Sequence, residues 1–231
     1  MPATTAKPKP KTTAIRRERE REARRQLILG AAKTVFAERG FLNASVEEIA
    51  GRCELAVGTL YRYFQSKEEM YVSLLSEAME MFRQAIEAAR DSSAAPPEQL
   101  RAVWRFFYDF YREQPEYYRA FMFLRNEGLR DAISPDVINE INRRAGMNFR
   151  LVAEIVQAGM AAGLYRPDLD TRGVVDVLWS LLMGLVQLVE TRRNLGAPAD
   201  MLETRHREAF EWIECGLRTK DSPGETTAGT K

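Results

Sequence analysis

The chain is poor in the residues that most enzymes and metalloproteins use for chemistry. It has one histidine, His206, and two cysteines, Cys53 and Cys215. One imidazole and two distant thiols do not make a metal-ligand set, and two cysteines are too few for a disulfide framework. Cys53 reads as a small buried apolar residue, and His206, on a charged stretch, as a surface one. No phosphate loop, dinucleotide fingerprint or Ser/His/Asp pattern is present, so catalytic, cofactor and metal roles have no residues to carry them. The most apolar run, VVDVLWSLLMGLVQLV at 174–189, is shorter than the roughly 20 residues that span a bilayer, and it holds Asp176 and Gln187. No apolar leader follows Met1. A cytoplasmic protein with no membrane partner is the expectation.

What remains is ordinary globular material, 45% hydrophobic and 29% charged, enough for one large core or two modest ones. A net charge of +1 hides an asymmetry: residues 1–67 carry 14 Lys and Arg against 7 Asp and Glu, and the rest carry 20 against 26. The basic end begins with MPATTAKPKPKTT, whose Pro, Lys and Thr read as disordered, and continues with IRREREREARRQ from Ile15 to Gln26. Residues 1–23 thus form a basic arm, disordered or partly helical. It suits DNA phosphates or a minor groove. A solvated helical extension with internal Arg–Glu pairs fits equally well.

The rest of the pattern is helical, about nine helices with almost no strand signal, and the fold class is all-α. Leu27, Ala31 and Val35, with Ile28, Ala32 and Phe36, keep the i, i+4 spacing of an amphipathic helix over roughly 24–39 that stops at Gly40. Ser45 followed by Glu48 is a capping box opening a short helix with Val46, Ile49 and Ala50 inward. After a turn near Cys53–Leu55, a third short helix keeps Leu60 and Phe64 on its core side. Ser66 followed by Glu69 opens a long helix through about Ala89. Further helices are expected from the break at 92–97 to Pro115, from there to before Gly128, from Ser134 to about Ala162, from Asp170 to Asn194, and from Met201 to Arg218. A polar tail, 220–231, closes the chain.

Two helices of about eight residues joined by a tight turn, with small Ala50 at their crossing, make a helix-turn-helix over 45–64. The stretch SVEEIAGRCELAVGTLYRYFQSKEEM, preceded by RRQLILGAAKTVFAERGF, resembles the DNA-binding domain of the TetR family of bacterial transcriptional regulators over about 24–70. The run from Gly58 to Glu69 is its most specific part.

Chemistry assigns the roles. Gly58 lets the backbone approach a groove, and Thr59 offers a hydroxyl and a methyl to a base edge. Tyr61, Arg62 and Tyr63 suit phosphate oxygens, while Ser45 and Lys67 sit at positive helix starts, natural phosphate sites. The resemblance implies the same DNA-facing set, Ser45, Val57, Gly58, Thr59, Tyr61, Arg62, Tyr63 and Lys67, although the spacing of Val57 equally allows a core role. The sequence departs from the family in the turn. Where relatives commonly carry Ala-Gly-Val-Ser it has Cys53, Glu54, Leu55 and Ala56, losing both the permissive glycine and the serine cap.

For residues 71–219 the resemblance implies a ligand-binding and dimerisation domain. WRFFYDFY at 104–111 and EYYRAFMF at 116–123 are dense in aromatics. Candidate lining groups are Trp104, Phe107, Tyr108, Tyr111, Tyr118, Phe121 and Met122, with Met147, Trp179 and Met183 as adaptable apolar neighbours. Arg125, Asn126 and Gln187 are the candidate polar anchors. A lipophilic or aromatic effector fits such a lining, and a filled core with no ligand is the plain alternative. Val174, Leu178, Leu181, Leu185 and Leu188, with Phe210, Ile213 and Leu217, are the expected dimer face, since a helix apolar nearly all round must be covered on more than one side. The reading is therefore a homodimeric repressor, not an enzyme, that leaves a palindromic double-stranded operator when a small molecule binds. A helical enzyme or carrier using the aromatic cavity directly is the competing class, and a regulator without an effector the other.

Overall fold

The computed structural model describes residues 11–125, 129–198 and 201–219. Within them lie nine α-helices: α1 Lys11–Asn43, α2 Val46–Arg52, α3 Val57–Leu60, α4 Lys67–Arg90, α5 Pro96–Glu113, α6 Pro115–Phe123, α7 Pro135–Ala161, α8 Thr171–Asn194 and α9 Leu202–Leu217. A 3₁₀ turn, Leu129–Ala132, precedes α7. The all-α expectation stands, and most boundaries differ from it by a residue or two.

Some boundaries differ by more. The first helix begins at Lys11, not near residue 24, so the described part of the basic arm is helix. Side chains pair along it at i, i+4, with Arg16 Nε donating to Glu20 at 2.7 Å and the Gln26 amide Nε2 to Glu22 at 2.7 Å. Residues 1–10 and the tail at 220–231 lie outside the described residues. The expected stop at Gly40 is present as a break, because Gly40 takes φ 72° and one more turn runs on to Asn43. The third helix ends at Leu60 instead of carrying on to Phe64. Arg62 and Tyr63 bond back three residues, to Thr59 and Leu60, so the chain tightens while Phe64 N still reaches Leu60 O at 3.0 Å.

The described residues fall into two compact units. One holds the chain to Leu75 and residues 119–138; the other holds 76–118 and 139 onward. In the first, Ile28, Ala32 and Val35 of α1 are buried with Ile49 of α2, Leu60, Phe64 and Leu74, all at most 1% exposed. Burying each such aliphatic side chain contributes about 1.5–3 kcal/mol. In the second, α5, α7, α8 and α9 surround a core of Leu100, Trp104, Ile155, Val156, Leu178, Leu182 and Phe210.

Three helices end in the same six-residue device, and comparing them explains the odd turn. At the end of α7, Leu164 N bonds Gly159 O at 2.9 Å and Gly163 N bonds Met160 O at 3.0 Å, with Gly163 at φ 71°. At the end of α8, Ala197 N bonds Arg192 O and Gly196 N bonds Arg193 O, with Gly196 at φ 68°. The α2 end repeats the pattern, Leu55 N to Ala50 O at 3.0 Å and Glu54 N to Gly51 O at 3.1 Å. Here the left-handed residue is Glu54, at φ 54° the one non-glycine residue with positive φ among those described. Glycine takes this conformation without penalty, and a residue with a Cβ pays about 1–2 kcal/mol for it. Glu54→Gly is therefore expected to stabilise the protein by about 1 kcal/mol, after the extra unfolded-state freedom of glycine is deducted. A rise in the urea midpoint at unchanged slope is the expected result; an unchanged or lower midpoint contradicts this account.

Candidate nucleic-acid interface

Two anchors set the reading surface. Leu60 and Phe64 are 0% and 1% exposed, so the short segment between α2 and α4 is pinned from one side. The residues between and before them then face out. Gly58, Tyr61 and Arg62 are exposed, Val57, Thr59 and Tyr63 half-buried. Among the described residues Tyr61 and Arg62 make no ion pair or side-chain hydrogen bond, leaving a phenol and a guanidinium free for an outside partner. A Cβ built at Gly58 meets no atom within 4 Å, so the missing side chain there is not demanded by packing. Val57, for which two roles were open, is partly covered and partly accessible.

The helix starts behave less uniformly. Ser45 caps α2, its hydroxyl accepting from Glu48 N at 3.1 Å, and its own O–H remains free to donate outward. Ala56 before α3 offers no side-chain cap, as its identity requires. Lys67, expected at a phosphate, is largely engaged within the chain. Its Nζ donates to Phe41 O and Ala44 O, both at 3.0 Å, and sits 4.5 Å over the Phe41 ring. The break at Gly40 leaves carbonyls at the end of α1 without helical partners, and the nearest ammonium takes them. Two of its three donors are thus spent inside the protein, tying the end of α1 to the start of α4.

Sequence reasoning missed other residues that support this surface. Arg25 lies over the Phe64 ring at 4.8 Å and donates to the buried Ser73 hydroxyl at 3.1 Å. Arg52 is held by a forked pair to Glu38, which raises its pKa, so it is a brace between α1 and α2. Glu69, 4% exposed, accepts from Gln65 N at 3.2 Å, Ser134 N at 3.3 Å and Ser134 Oγ at 3.0 Å. Ser66 caps α4 through Glu69 N and donates to Ala132 O at 2.5 Å. The signal for part of this was visible, since Ser66 and Glu69 form the second capping box. That its carboxylate would also hold residue 134 was not.

The candidate effector residues separate into groups. Phe107 packs on Phe82 at 4.5 Å and on Trp179 at 5.7 Å, and Trp179 meets Phe149 at 5.8 Å, with Met183 against the same core. Tyr111 meets Tyr118 edge-on at 5.7 Å; Tyr118 Oη donates to Gln187 at 3.4 Å and Tyr111 Oη to Glu190. Trp104 and Tyr108 line a groove of about 370 Å³ between α5 and α9, and Met147 an open hollow of about 300 Å³ beside Met79 and Asn148. Phe121, Met122 and Arg125 belong to the unit that carries the helix-turn-helix, and Asn126 lies outside the described residues.

The expected dimer face needs a change of phase. Leu178, Phe210 and Leu217 are at most 6% exposed in the chain's own core, and Val174, Leu181, Leu185 and Ile213 pack against that core. Of the expected set only Leu188 is open, at 41%. The uncovered stripe of α8 runs one position over, through Val177, Ser180, Gly184, Leu188 and Thr191, with Trp212 of α9 exposed at 70%. On a helix apolar nearly all round, either row satisfies the 3.6-residue period, so sequence alone does not choose between them. By length and composition α8 could also cross a membrane, a weak sign that core helices share, and its Val175, Leu178, Leu182, Val186 and Val189 are buried against the same chain.

Residues 28–74 match the family model described as bacterial regulatory proteins, tetR family, and residues 100–212 match tetracyclin repressor-like, C-terminal domain. The HTH-type transcriptional repressor NicS of Pseudomonas putida is 29% identical over 153 residues, 66% of this chain and 71% of that protein. The HTH-type transcriptional repressor KstR2 of Mycobacterium tuberculosis is 29% identical over 161 residues, 68% of this chain and 78% of that one. Among solved structures, the transcriptional regulator FadR from Bacillus subtilis in complex with stearoyl-CoA shares the fold at a TM-score of 0.65 and 22% identity, over 84% of this chain and 99% of that one.

Proposed function

Because the chain belongs to the TetR family of DNA-binding transcriptional regulators and is not an enzyme, we propose that it is a cytoplasmic, homodimeric repressor that leaves a palindromic operator when a lipophilic effector binds. The observation that carries this reading is the outward set at Gly58–Tyr63, held from behind by Leu60 and Phe64 and otherwise unpartnered at Tyr61 and Arg62. Gly58 and Thr59 meet base edges, Tyr61, Arg62, Tyr63 and Ser45 meet phosphates, and Lys67 keeps one donor for the same purpose. The proposed division is arm 1–23, helix-turn-helix domain 24–70, effector and dimer domain 71–219 and tail 220–231, corrected by the structure in that residues 71–75 and 119–138 pack in the unit of the helix-turn-helix.

Pairing rests on the open α8 stripe. Its small members Ser180 and Gly184 allow close approach of a second copy, and Val177, Leu188 and Trp212 supply apolar area. A twofold axis through it would present two recognition segments to successive major grooves. Leu188→Glu combined with Trp212→Glu is expected to give a folded monomer by light scattering, with operator affinity reduced at least 100-fold. An intact dimer would place the interface elsewhere.

The effector class is supported by the aromatic groups of α5, α6 and α8 and by the similar proteins, one solved with stearoyl-CoA and another described as a ketosteroid transcriptional regulator. The test is direct. The protein should shift a duplex from upstream of its own gene with affinity falling steeply with salt, and a long-chain acyl or polycyclic ligand should release it. Equal binding to random duplex at moderate salt would sink the operator reading, and release by no such ligand would sink the effector reading.

A further inference from the structure

The groove between α5 and α9 is not needed for DNA reading. Its rim carries Arg101, Arg105, Arg112 and Arg207 with Asp109 and Glu203, and its floor is aromatic. Arg101 is committed, paired with Glu214 and lying 5.0 Å over the Phe210 ring. Arg112 lies 5.4 Å over Tyr108. Arg105 and Arg207 are exposed and make no ion pair among the described residues, and the same holds for Asp109 and Glu203.

The floor holds an unpartnered polar group. His206, expected at the surface, is 6% exposed, stacked on Trp104 at 4.6 Å and 20° and lying 5.2 Å from the Tyr108 ring. Trp104 Nε1 donates to its backbone carbonyl at 2.9 Å, which fixes the pair. Its Nε2 is buried without a hydrogen-bond partner. Burial lowers the imidazole pKa to about 4, so at neutral pH the ring is uncharged, and its Nε2 lacks the partner that buried polar atoms normally have. Residues 203, 206, 207 and 210 share one face of α9, and Trp212 lies some 200° round the helix from 210. The groove thus lies on a different face of α9 from Trp212.

We propose that this groove is a binding site for a phosphorylated polyhydroxy ligand, a nucleotide or sugar phosphate. Exposed guanidinium groups match phosphoryl oxygens in forked pairs, and the carboxylates of Asp109 and Glu203, the latter already accepting from Tyr108 Oη at 3.4 Å, match hydroxyl donors. A ligand seated deep enough to reach the buried His206 Nε2 supplies its missing partner, and the rings of Trp104 and Tyr108 take the ligand's uncharged surface. A simple anion would leave Asp109 and Glu203 facing its charge; a ligand with hydroxyls next to its phosphate uses both signs. The volume of about 370 Å³ lies in the range of small-ligand sites.

Full-length protein without DNA should bind ADP and ribose 5-phosphate by calorimetry, with tryptophan emission changing through Trp104, and bind pyrophosphate more weakly. Arg105→Ala and Arg207→Ala, both on exposed positions, should each weaken binding about tenfold with an unchanged melting temperature. His206→Phe keeps the ring stack and should also weaken it severalfold. Binding of neither ester, binding unaffected by the two arginine variants, or pyrophosphate binding as tightly as the esters would each overturn the proposal. None of these readouts involves operator or acyl effector, so failure here leaves the repressor reading standing.

Discussion

Gly58→Leu is expected to yield a protein that keeps its fold and oligomeric state yet loses specific operator binding by about 100-fold or more. The space around Gly58 is open on its own chain, so the new side chain strains nothing, and leucine is favoured over glycine in a helix by nearly 1 kcal/mol. Against a duplex the same side chain occupies the space through which the backbone approaches the groove. It displaces the contacts of Thr59 and its neighbours, each worth about 1–3 kcal/mol of base discrimination. Two such losses amount to about 3 kcal/mol, which is the stated factor. Binding to random sequence should fall much less, because the phosphate contacts proposed for Tyr61, Arg62 and Tyr63 are untouched by the substitution. Anisotropy titrations at one salt concentration, on operator and scrambled duplex, read both numbers. Retained operator affinity would mean that α3 does not enter a groove.

Glu69→Ala should be among the most damaging changes that touch no ligand. Three donors, Gln65 N, Ser134 N and Ser134 Oγ, converge on this carboxylate, and it is 4% exposed. Alanine leaves buried amides without partners, each costing about 1–3 kcal/mol, so a loss of about 3 kcal/mol is expected. Glu69→Gln keeps an acceptor oxygen and should cost about half as much. Hydrogen exchange localises the damage: amides of Gln65 and Ser134 should exchange faster in the alanine variant while the α8 and α9 amides keep their protection. Uniform loss of protection would contradict a local role.

The all-helical architecture was legible because it rests on local signals. Capping serines at 45 and 66, glycines at 40 and 163, and the Leu60–Phe64 spacing each act within a few residues. The features that escaped depend on distant partners. That the carbonyls freed near Gly40 would take two of the three Lys67 donors depends on residues more than twenty positions away. The phase of α8 is decided by which row Leu100, Val156 and Phe210 leave uncovered, and that is invisible in a sequence apolar on nearly every side. His206 sits among charges in sequence, Arg205 and Arg207 beside it, yet its ring is drawn under Trp104. The Arg–Glu alternation of the arm was ambiguous for a different reason, since the same spacing serves helix pairs and a basic arm alike.

The left-handed Glu54 also bears on how this protein would respond to selection. A repressor pressed only to survive heat has few single substitutions that gain stability without disturbing a contact, and position 54 is one, because glycine satisfies the same turn at lower cost. A heat-selected library should reach it early. If operator affinity is selected alongside and glutamate persists, the carboxylate beside the recognition segment has a use that thermal stability does not measure, and contact with a cytosine amino group is the chemistry open to it.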